Sequence, residues 1–272
     1  MWDQRGGRCG PTGAGMRESP GQPVLEASGV TVRFGGLTAL DGVRLAVMPG
    51  SVHGVIGPNG AGKTTLFNVL CGFVAPREGT VRVHGKPLRR HRPHDLAALG
   101  IARTVQGLGL FAGCTVIDNV LVGAHRHRKA SAFSSLLGLG GAARDEGRLR
   151  DKAEELLALL RIDNWRDAYP ATLPYGVRKR VALARALVAE PALLMLDEPA
   201  SGLSELEREE LVDLLRGLTG RTAVLLVEHH MDLVMRVCDR ITVLDFGRVI
   251  AAGTPDEVRD DPQVTEAYLG VG

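Results

Sequence analysis

The chain has 272 residues, which is long enough for one large domain or for two closely packed subdomains. Hydrophobic residues make up 44% and charged residues 24%, and this balance of a globular protein excludes disorder throughout and collagen-like repeats. The 33 basic and 31 acidic side chains leave a formal net charge of +2, so no overall field favours a nucleic-acid partner.

The N-terminal segment, residues 1–22, is rich in Gly, Pro and Arg and contains no apolar run. It therefore lacks the hydrophobic region of a secretory signal peptide. We expect residues 1–22 to form a disordered tail, and Met16 is an alternative start of translation.

Two further features concern the compartment in which the protein works. No stretch approaches the roughly 20 apolar residues that span a bilayer, so we expect the chain not to cross a membrane by itself. The cysteines lack the paired spacing of a zinc site or redox motif, which favours a reducing, cytosolic compartment. They are Cys9, Cys71, Cys114 and Cys238.

The first predicted elements are short β-prone runs that begin at Val24. Strands are predicted over residues 24–34, 43–48, 51–56, 79–84 and 101–106, with a helix over 63–71 and a solvated basic loop over 86–94. A mostly helical stretch begins at Val116 and includes helices over 145–161 and 177–189. These helical segments in a row predict a helical lobe.

Strands and helices alternate again from residue 192 onward. Strands are predicted over residues 192–196, 222–227, 241–244 and 249–252, and helices over 205–218, 231–237, 255–259 and 262–269. This βαβ alternation predicts a parallel sheet flanked by helices.

A phosphate-binding loop pattern is complete between a predicted strand and a predicted helix. It reads Gly57-Pro58-Asn59-Gly60-Ala61-Gly62-Lys63-Thr64. Its glycines let backbone N–H groups surround a phosphate, Lys63 reaches the β and γ phosphates, and the Thr64 hydroxyl ligates magnesium. We include the next residue, Thr65, in the nucleotide-binding set. The alternative, a glycine-rich turn with a chance Lys-Thr pair, is disfavoured by the full match and its context.

A second motif is the apolar run 193–196, which ends in the carboxylates of Asp197 and Glu198. It is typical of a buried strand, and a doubly wound sheet places its ligand at strand C-termini. We predict that Asp197 binds magnesium and that Glu198 is the general base for the attacking water. Taken alone, a strand that ends in Asp-Glu more often leads into a helix-capping turn than into a catalytic pair. The phosphate loop in the same chain makes the catalytic pair the favoured interpretation.

Between these motifs the chain reads Leu173-Pro174-Tyr175-Gly176-Val177, followed by the basic helix start Arg178-Lys179-Arg180. From about Val24 to its end it resembles the ATP-binding subunits of ATP-binding cassette (ABC) transporters. The resemblance implies an α/β fold: a P-loop NTPase, RecA-like core with an N-terminal antiparallel β element and an inserted helical subdomain. It also implies ATP and Mg²⁺ as cofactors. In that family the signature segment, here Tyr175 and Gly176, contacts the γ phosphate of ATP held by a second subunit.

Other positions match that family one by one. Phe34 stands where an aromatic ring stacks on adenine; without the resemblance it would more often be a core residue. Gln106 falls at the glutamine that touches magnesium or the attacking water and couples to membrane subunits. His229 falls at the switch histidine, whose imidazole hydrogen-bonds the γ phosphate. Gly202 and Leu203 lie where the family makes dimer contacts.

The chain also departs from the family pattern. Pro174, Tyr175 and Val177 replace the Ser, first Gly and Gln of the usual Leu-Ser-Gly-Gly-Gln signature. The signature hydroxyl is therefore absent, and the phosphate contact would fall to Gly176 and to the amides at the start of the helix. Ser204 replaces the acidic or amide residue usual in the loop after the acid pair.

The Leu-Pro-Tyr-Gly variant itself resembles one branch, the ATP-binding subunits of branched-chain and other hydrophobic amino acid importers. The arginine-rich insertion over 124–150 has the length that such members carry. Val177 departs from this branch too, since Gln is usual there. The closing segments Glu228-His229-His230-Met231, Gly253-Thr254-Pro255 and Asp261-Pro262 also look like this branch.

The resulting hypothesis is an ATPase subunit at the cytoplasmic face of the cell membrane that powers solute import, of branched-chain or other hydrophobic amino acids. We expect a tail over 1–22, core segments over 23–107 and 191–254, a helical subdomain over 108–190 and a C-terminal tail over 255–272. The expected partners are a second ATP-binding subunit, transmembrane permease subunits and, indirectly, an extracytoplasmic solute-binding protein. No nucleic-acid partner is expected.

Three alternatives stay open. The altered signature favours a poorly hydrolysing, regulatory partner in a heterodimer, but the intact Lys63, Asp197, Glu198 and His229 count against it. A P-loop kinase or a DNA-associated ATPase is disfavoured by the helical lobe and the tail. The third alternative is an importer subunit for a different solute. It stays open because the selectivity of such importers lies in other subunits.

Overall fold

The computed structural model describes residues 21–88, 91–104, 108–124 and 141–269 of the chain. The predicted tail lies outside these residues apart from Gly21 and Gln22. Gln106 also lies outside them, as does most of the arginine-rich insertion.

The strands form two sheets. In chain order they are β1 (Leu25–Phe34), β2 (Leu37–Val47), β3 (Val52–Ile56), β4 (Glu78–Val83), β5 (Lys86–Pro87), β6 (Ile101–Arg103), β7 (Leu193–Asp197), β8 (Ala223–Val227), β9 (Arg240–Asp245) and β10 (Arg248–Gly253). One sheet is antiparallel with the order β2-β1-β4-β5. The other has the order β10-β9-β3-β8-β7-β6 and is parallel except for β10. The predicted parallel sheet and N-terminal antiparallel element are both present.

The helices flank the six-stranded sheet. They are α1 (Lys63–Leu70), α2 (Val116–Gly123), α3 (Gly141–Leu159), α4 (Tyr175–Leu187), α5 (Glu205–Leu218), α6 (Met231–Val237), α7 (Pro255–Arg259) and α8 (Pro262–Leu269). Between β6 and β7, α2, α3 and α4 pack on one another, as expected for an inserted helical lobe. In the part of the chain described here, no helix is both long and apolar enough to cross a bilayer.

Several element bounds differ from the sequence prediction, most of them by one or two residues. β2 begins at Leu37, six residues before the predicted start. β6 ends at Arg103, three residues before the predicted end. α4 begins at Tyr175, two residues before the predicted start, because Pro174 stands at the N-cap with an extended ψ of 154°. Apolar periodicity does not detect this first turn, whose residues are polar or small. Tyr175 and Gly176 therefore belong to the helix itself.

The central sheet is buried on both faces, which explains its uninterrupted apolar strands. Along β7, Leu193 and Met195 pack against α1 and the antiparallel sheet, whereas Leu194 and Leu196 pack against the helices of the opposite face. All four are at most 1% exposed. The C-terminal ends of these strands are consequently fixed in position.

Candidate active site

Three neighbouring strands of the parallel sheet end side by side. β3 pairs with β8, and β8 pairs with β7, so that Val55 lies beside Val227 and Val227 beside Asp197. The segments after these strands therefore leave the same edge of the sheet, where open α/β sheets bind their ligands. They carry the phosphate loop, the acid pair and the predicted switch histidine.

The phosphate loop has a backbone that requires glycine. Gly57, Gly60 and Gly62 have φ values of 148°, 81° and 102°. A Cβ on Gly57 would lie 2.0 Å from the carbonyl oxygen of Leu244, so no side chain fits there. Gly62 caps α1 without a side-chain hydrogen bond, which leaves the first amides of the helix free to bind an anion.

Lys63 is folded back onto the loop that precedes it. Its Nζ donates to the carbonyl oxygens of Gly57 and Pro58, at 2.7 and 2.9 Å. Burial lowers the pKa of this ammonium, while the negative charges of Glu198 and Asp197 oppose the shift. The cation is thus held next to the helix start, where a phosphate would bind.

Asp197 is the last residue of β7 and lies near other negatively charged side chains. Burial raises the pKa of its carboxyl, as do the charges of Glu198 and Glu228, whereas Arg103 and Lys63 lower it. A bound cation would relieve this repulsion. With the exposed hydroxyl of Thr64 at the start of α1, the site offers the oxygen ligands that Mg²⁺ prefers.

Glu198 adopts a strained backbone. Its φ is 47°, in the left-handed region that non-glycine residues rarely adopt, and its amide donates to the carbonyl oxygen of Val227 at 2.9 Å. The side chain faces the predicted switch histidine, because Nδ1 of His229 lies 3.8 Å from Oε1 of Glu198. That distance is too long for a hydrogen bond. The side chains of Glu198 and His229 are therefore neighbours, but they are not hydrogen-bonded to each other.

Three further residues are predicted to contact the nucleotide or its magnesium: Phe34, Thr65 and Gln106. Phe34 ends β1 with 52% of its surface exposed, so the alternative of a core residue is wrong and its ring is available for stacking. Thr65 is half-buried in the first turn of α1. Gln106 lies outside the described residues, so its predicted role stays a prediction.

The signature residues pack within their own subunit. A Cβ on Gly176 would lie 1.9 Å from Oε1 of Glu207, and a Cβ on Gly202 would lie 3.0 Å from Cε1 of Tyr175. Both contacts join the start of α4 to the loop and helix that follow the acid pair. The sequence analysis did not predict them, because residues 176 and 207 are far apart along the chain.

Lys179 is a functional candidate that the sequence analysis missed. Its Nζ donates to the carbonyl oxygens of Pro199 and Ser201 at 2.7 and 2.5 Å, and to that of Glu198 at 3.4 Å. It also lies 5.3 Å from the centre of the Tyr175 ring. One turn into α4, this cation therefore holds the backbone that carries the predicted base. The only signal in the sequence was the basic start of the helix.

Ser204, which departs from the family pattern, caps α5. Its Oγ accepts from the amide of Glu207 at 3.4 Å, and Oε2 of Glu207 accepts from the amide and hydroxyl of Ser204, both at 2.8 Å. This reciprocal arrangement is a capping box. The substitution thus stabilises the helix start, and the same Glu207 lies against Gly176.

A cleft of about 430 Å³ separates α4 from α5. Its described lining includes both acids of the pair, Tyr175, Gly176 and Lys179, but no residue of the phosphate loop. Asn59 and Gly60 of the phosphate loop and Thr64 at the start of α1 are exposed.

Two family models match the chain. One, described as "ABC transporter", matches residues 40–201, and the other, "Branched-chain amino acid ATP-binding cassette transporter", matches residues 248–272.

Similar proteins match over nearly the whole length. The high-affinity branched-chain amino acid transport ATP-binding protein BraF of Pseudomonas aeruginosa is 41% identical over 251 residues, which cover 92% of this chain and 98% of that protein. LivG of Escherichia coli strain K12, which carries the same description, has the same identity and coverage. A crystal structure of the ADP conformation of an ATP-binding cassette of an ABC transporter aligns with a TM-score of 0.76 at 32% identity, covering 91% of this chain and 99% of that one.

Proposed function

The chain belongs to the ATP-binding subunits of ABC transporters, and from this membership we propose that it powers the import of branched-chain amino acids across the cell membrane. The observation that carries the choice of solute is the 41% identity to BraF and LivG over 98% of each protein. The match of the last 25 residues, 248–272, to the branched-chain model supports the same branch.

The subunit is an ATPase, and its reaction follows from the converging strand ends. We propose that the amides of the phosphate loop and Lys63 bind the β and γ phosphates. Mg²⁺, when held by Thr64 and Asp197, would neutralise charge on the phosphates. Glu198 would take the proton of the attacking water, and His229 would donate a hydrogen bond to the γ phosphate. Phe34 would stack on adenine.

The proposed assembly contains two ATP-binding subunits at the cytoplasmic face of the membrane, bound to permease subunits and supplied by an extracytoplasmic solute-binding protein. The exposure of Asn59, Gly60 and Thr64 supports a partner across the nucleotide, because these residues are open to a second protein surface. The start of α4 would face the partner's γ phosphate through Gly176 and the neighbouring amides.

The alternative of a poorly hydrolysing subunit rests on the altered signature. Against it, Lys63, Asp197, Glu198 and His229 follow or end neighbouring strands of the sheet, which supports the proposal that one subunit supplies its own cation, acids and histidine. A different solute remains the second alternative, since the fold does not determine the substrate.

The test of the proposed function is transport by the assembled complex. The subunit is co-expressed with its permease partners, reconstituted in vesicles, and supplied with ATP and radiolabelled leucine, isoleucine or valine together with the binding protein. We expect ATP-dependent accumulation of these amino acids and none of a sugar such as ribose. Accumulation of the sugar alone would assign the subunit to another solute.

Gly176 provides a separate prediction about the signature. We expect Gly176→Asp to lower the ATPase rate of the assembled transporter by about 10²–10³-fold, because the carboxylate adds bulk and negative charge where a phosphate would bind. ATP binding by the isolated subunit should be nearly unchanged. Val177→Gln, which restores the family residue, is expected to keep or raise the rate. Steady-state ATPase assays measure the rate of each variant, and nucleotide titration measures its ATP binding.

The cis contact of Gly176 calls for a control. Glu207 lies where the new carboxylate would go, so repulsion within the subunit could also lower the rate. In Gly176→Asp/Glu207→Ala both this repulsion and the overlap with the side chain of residue 207 are absent, and we expect the rate to stay low. Recovery of the parent rate in the double variant would contradict the contact with the partner's phosphate.

A further inference from the structure

Glu228 is the one fully buried acidic residue of the described chain, with 0% exposure. It follows β8 directly and precedes the predicted switch histidine. Its Oε1 accepts from the amide of Ala200 at 2.8 Å. Its Oε2 accepts from the amides of His229 and His230, at 2.9 and 3.2 Å, and from Nδ1 of His230 at 2.9 Å.

This carboxylate joins two loops that come from different strands. Ala200 lies two residues after Glu198 in the segment that leaves β7, whereas His229 and His230 lie in the segment that leaves β8. Lys179 binds the carbonyl oxygens of the first segment from the opposite lobe. Residues 198–201 are thus held from two sides. The Glu228 carboxylate accepts from the amide of Ala200, and the Lys179 ammonium donates to the carbonyl oxygens of Pro199 and Ser201.

Glu228, His229 and His230 also bring three potential metal ligands within 4.8 Å of one another. The hydrogen bonds decide against a metal at this point, because four N–H donors already occupy the carboxylate. Burial by itself raises the pKa of Glu228, but the hydrogen bonds from His230 and from the three amides outweigh it and leave the pKa below its usual value. Glu228 is therefore an ionised acceptor, and Nδ1 of His230 carries the proton between them.

We infer that Glu228 is a positioning residue for ATP hydrolysis, which sets the separation of Glu198 and His229 by tying together the loops that carry them. The inference rests on the roles proposed above for these two residues. Neither loop is part of a helix or strand, and Glu198 has a left-handed backbone that needs support from its surroundings. The phosphate loop joins β3 to α1 and is not bonded by the Glu228 carboxylate, so we expect nucleotide binding to be independent of that side chain.

The test is Glu228→Gln in the assembled transporter. Glutamine has the same shape but only one acceptor oxygen, so in either orientation its NH₂ group faces a buried N–H donor that then has no partner. We expect kcat to fall by about 10²-fold, the size of effect expected when a catalytic group is misplaced by about 1 Å. KM for ATP should stay within about threefold of the parent value, since binding is spared. The aspartate side chain is too short to reach both loops, so Glu228→Asp should also lower kcat.

Three controls separate positioning from other effects. Glu257→Gln removes the carboxylate that accepts from Thr254 in the capping box of α7, and it should keep the parent rate. The isolated Glu228→Gln subunit should bind ATP with parent affinity, which also shows that it folds. In Glu198→Gln/Glu228→Gln the second change should lower the rate little further, because Glu228 acts through Glu198.

Other results would overturn the inference. An unchanged kcat in both Glu228 variants, or equal losses of kcat and ATP affinity, would remove Glu228 from the positioning role. A parent rate in Glu198→Gln alone would instead refute the proposed base, and the inference would fall with it. The single variants therefore tell the two failures apart.

Discussion

Lys63→Ala is expected to weaken ATP binding by about 100-fold or more, equivalent to about 2.7 kcal/mol, the range of a hydrogen bond to a charged group. In the structure Lys63 is nearly buried, with 8% of the residue exposed, and its ammonium donates hydrogen bonds to the loop's own carbonyl oxygens. Alanine removes the cation that would neutralise the β and γ phosphates, and with it the two hydrogen bonds to the carbonyl oxygens of Gly57 and Pro58. Titration of the purified subunit with ATP and magnesium measures the loss.

Lys152→Ala is the matched control for this experiment. Lys152 pairs with Glu190 at 2.6 Å on the helical lobe, so its removal also deletes an ammonium from an ion pair. We expect this variant to bind ATP like the parent. If Lys63→Ala did so as well, the phosphate-loop assignment would fail.

Glu198→Gln is expected to have the largest effect on turnover, with hydrolysis about 10²–10⁴-fold slower while ATP binding persists. The amide keeps the shape of the side chain next to His229 but removes the proton acceptor. Because ATP then stays bound, we expect the two-subunit state to accumulate. Single-turnover kinetics measure the chemical step, and size-exclusion chromatography with ATP should show twice the monomer mass.

Glu209→Gln controls for the loss of a carboxylate elsewhere. Glu209 pairs with Arg236 on the surface, where an exposed ion pair contributes little. This variant should hydrolyse ATP at the parent rate and should not form a stable dimer. Parent turnover in Glu198→Gln would exclude Glu198 as the base.

Much of the fold was predictable from local patterns, and the family assignment is confirmed. The predicted bounds of α5, α6, α7 and α8 coincide with those in the structure, because apolar periodicity and a proline in the first turn are local signals. The phosphate loop was equally clear, since its glycines, Lys63 and Thr64 act within one turn between a strand and a helix. Such features depend on residues a few positions apart.

Contacts between distant segments could not be predicted in this way. The Tyr175–Gly202 contact, the hold of Lys179 on residues 198–201 and the Glu228 bridge each join separate stretches of chain. In sequence, Glu228 is only a polar residue after an apolar run, and Lys179 is one of three adjacent basic residues.

The sequence by itself thus determined which chemical groups the candidate site contains: a phosphate loop, an acid pair and a histidine, each at the end of a predicted strand. Only the tertiary structure decided how these groups are held against one another. The physical reason is the strand order β3-β8-β7, in which β8 lies between β3 and β7 although four strands separate β3 from β8 along the chain. Crossover connections set that order, and it alone places the Glu228 carboxylate between the loop of Glu198 and the loop of His229.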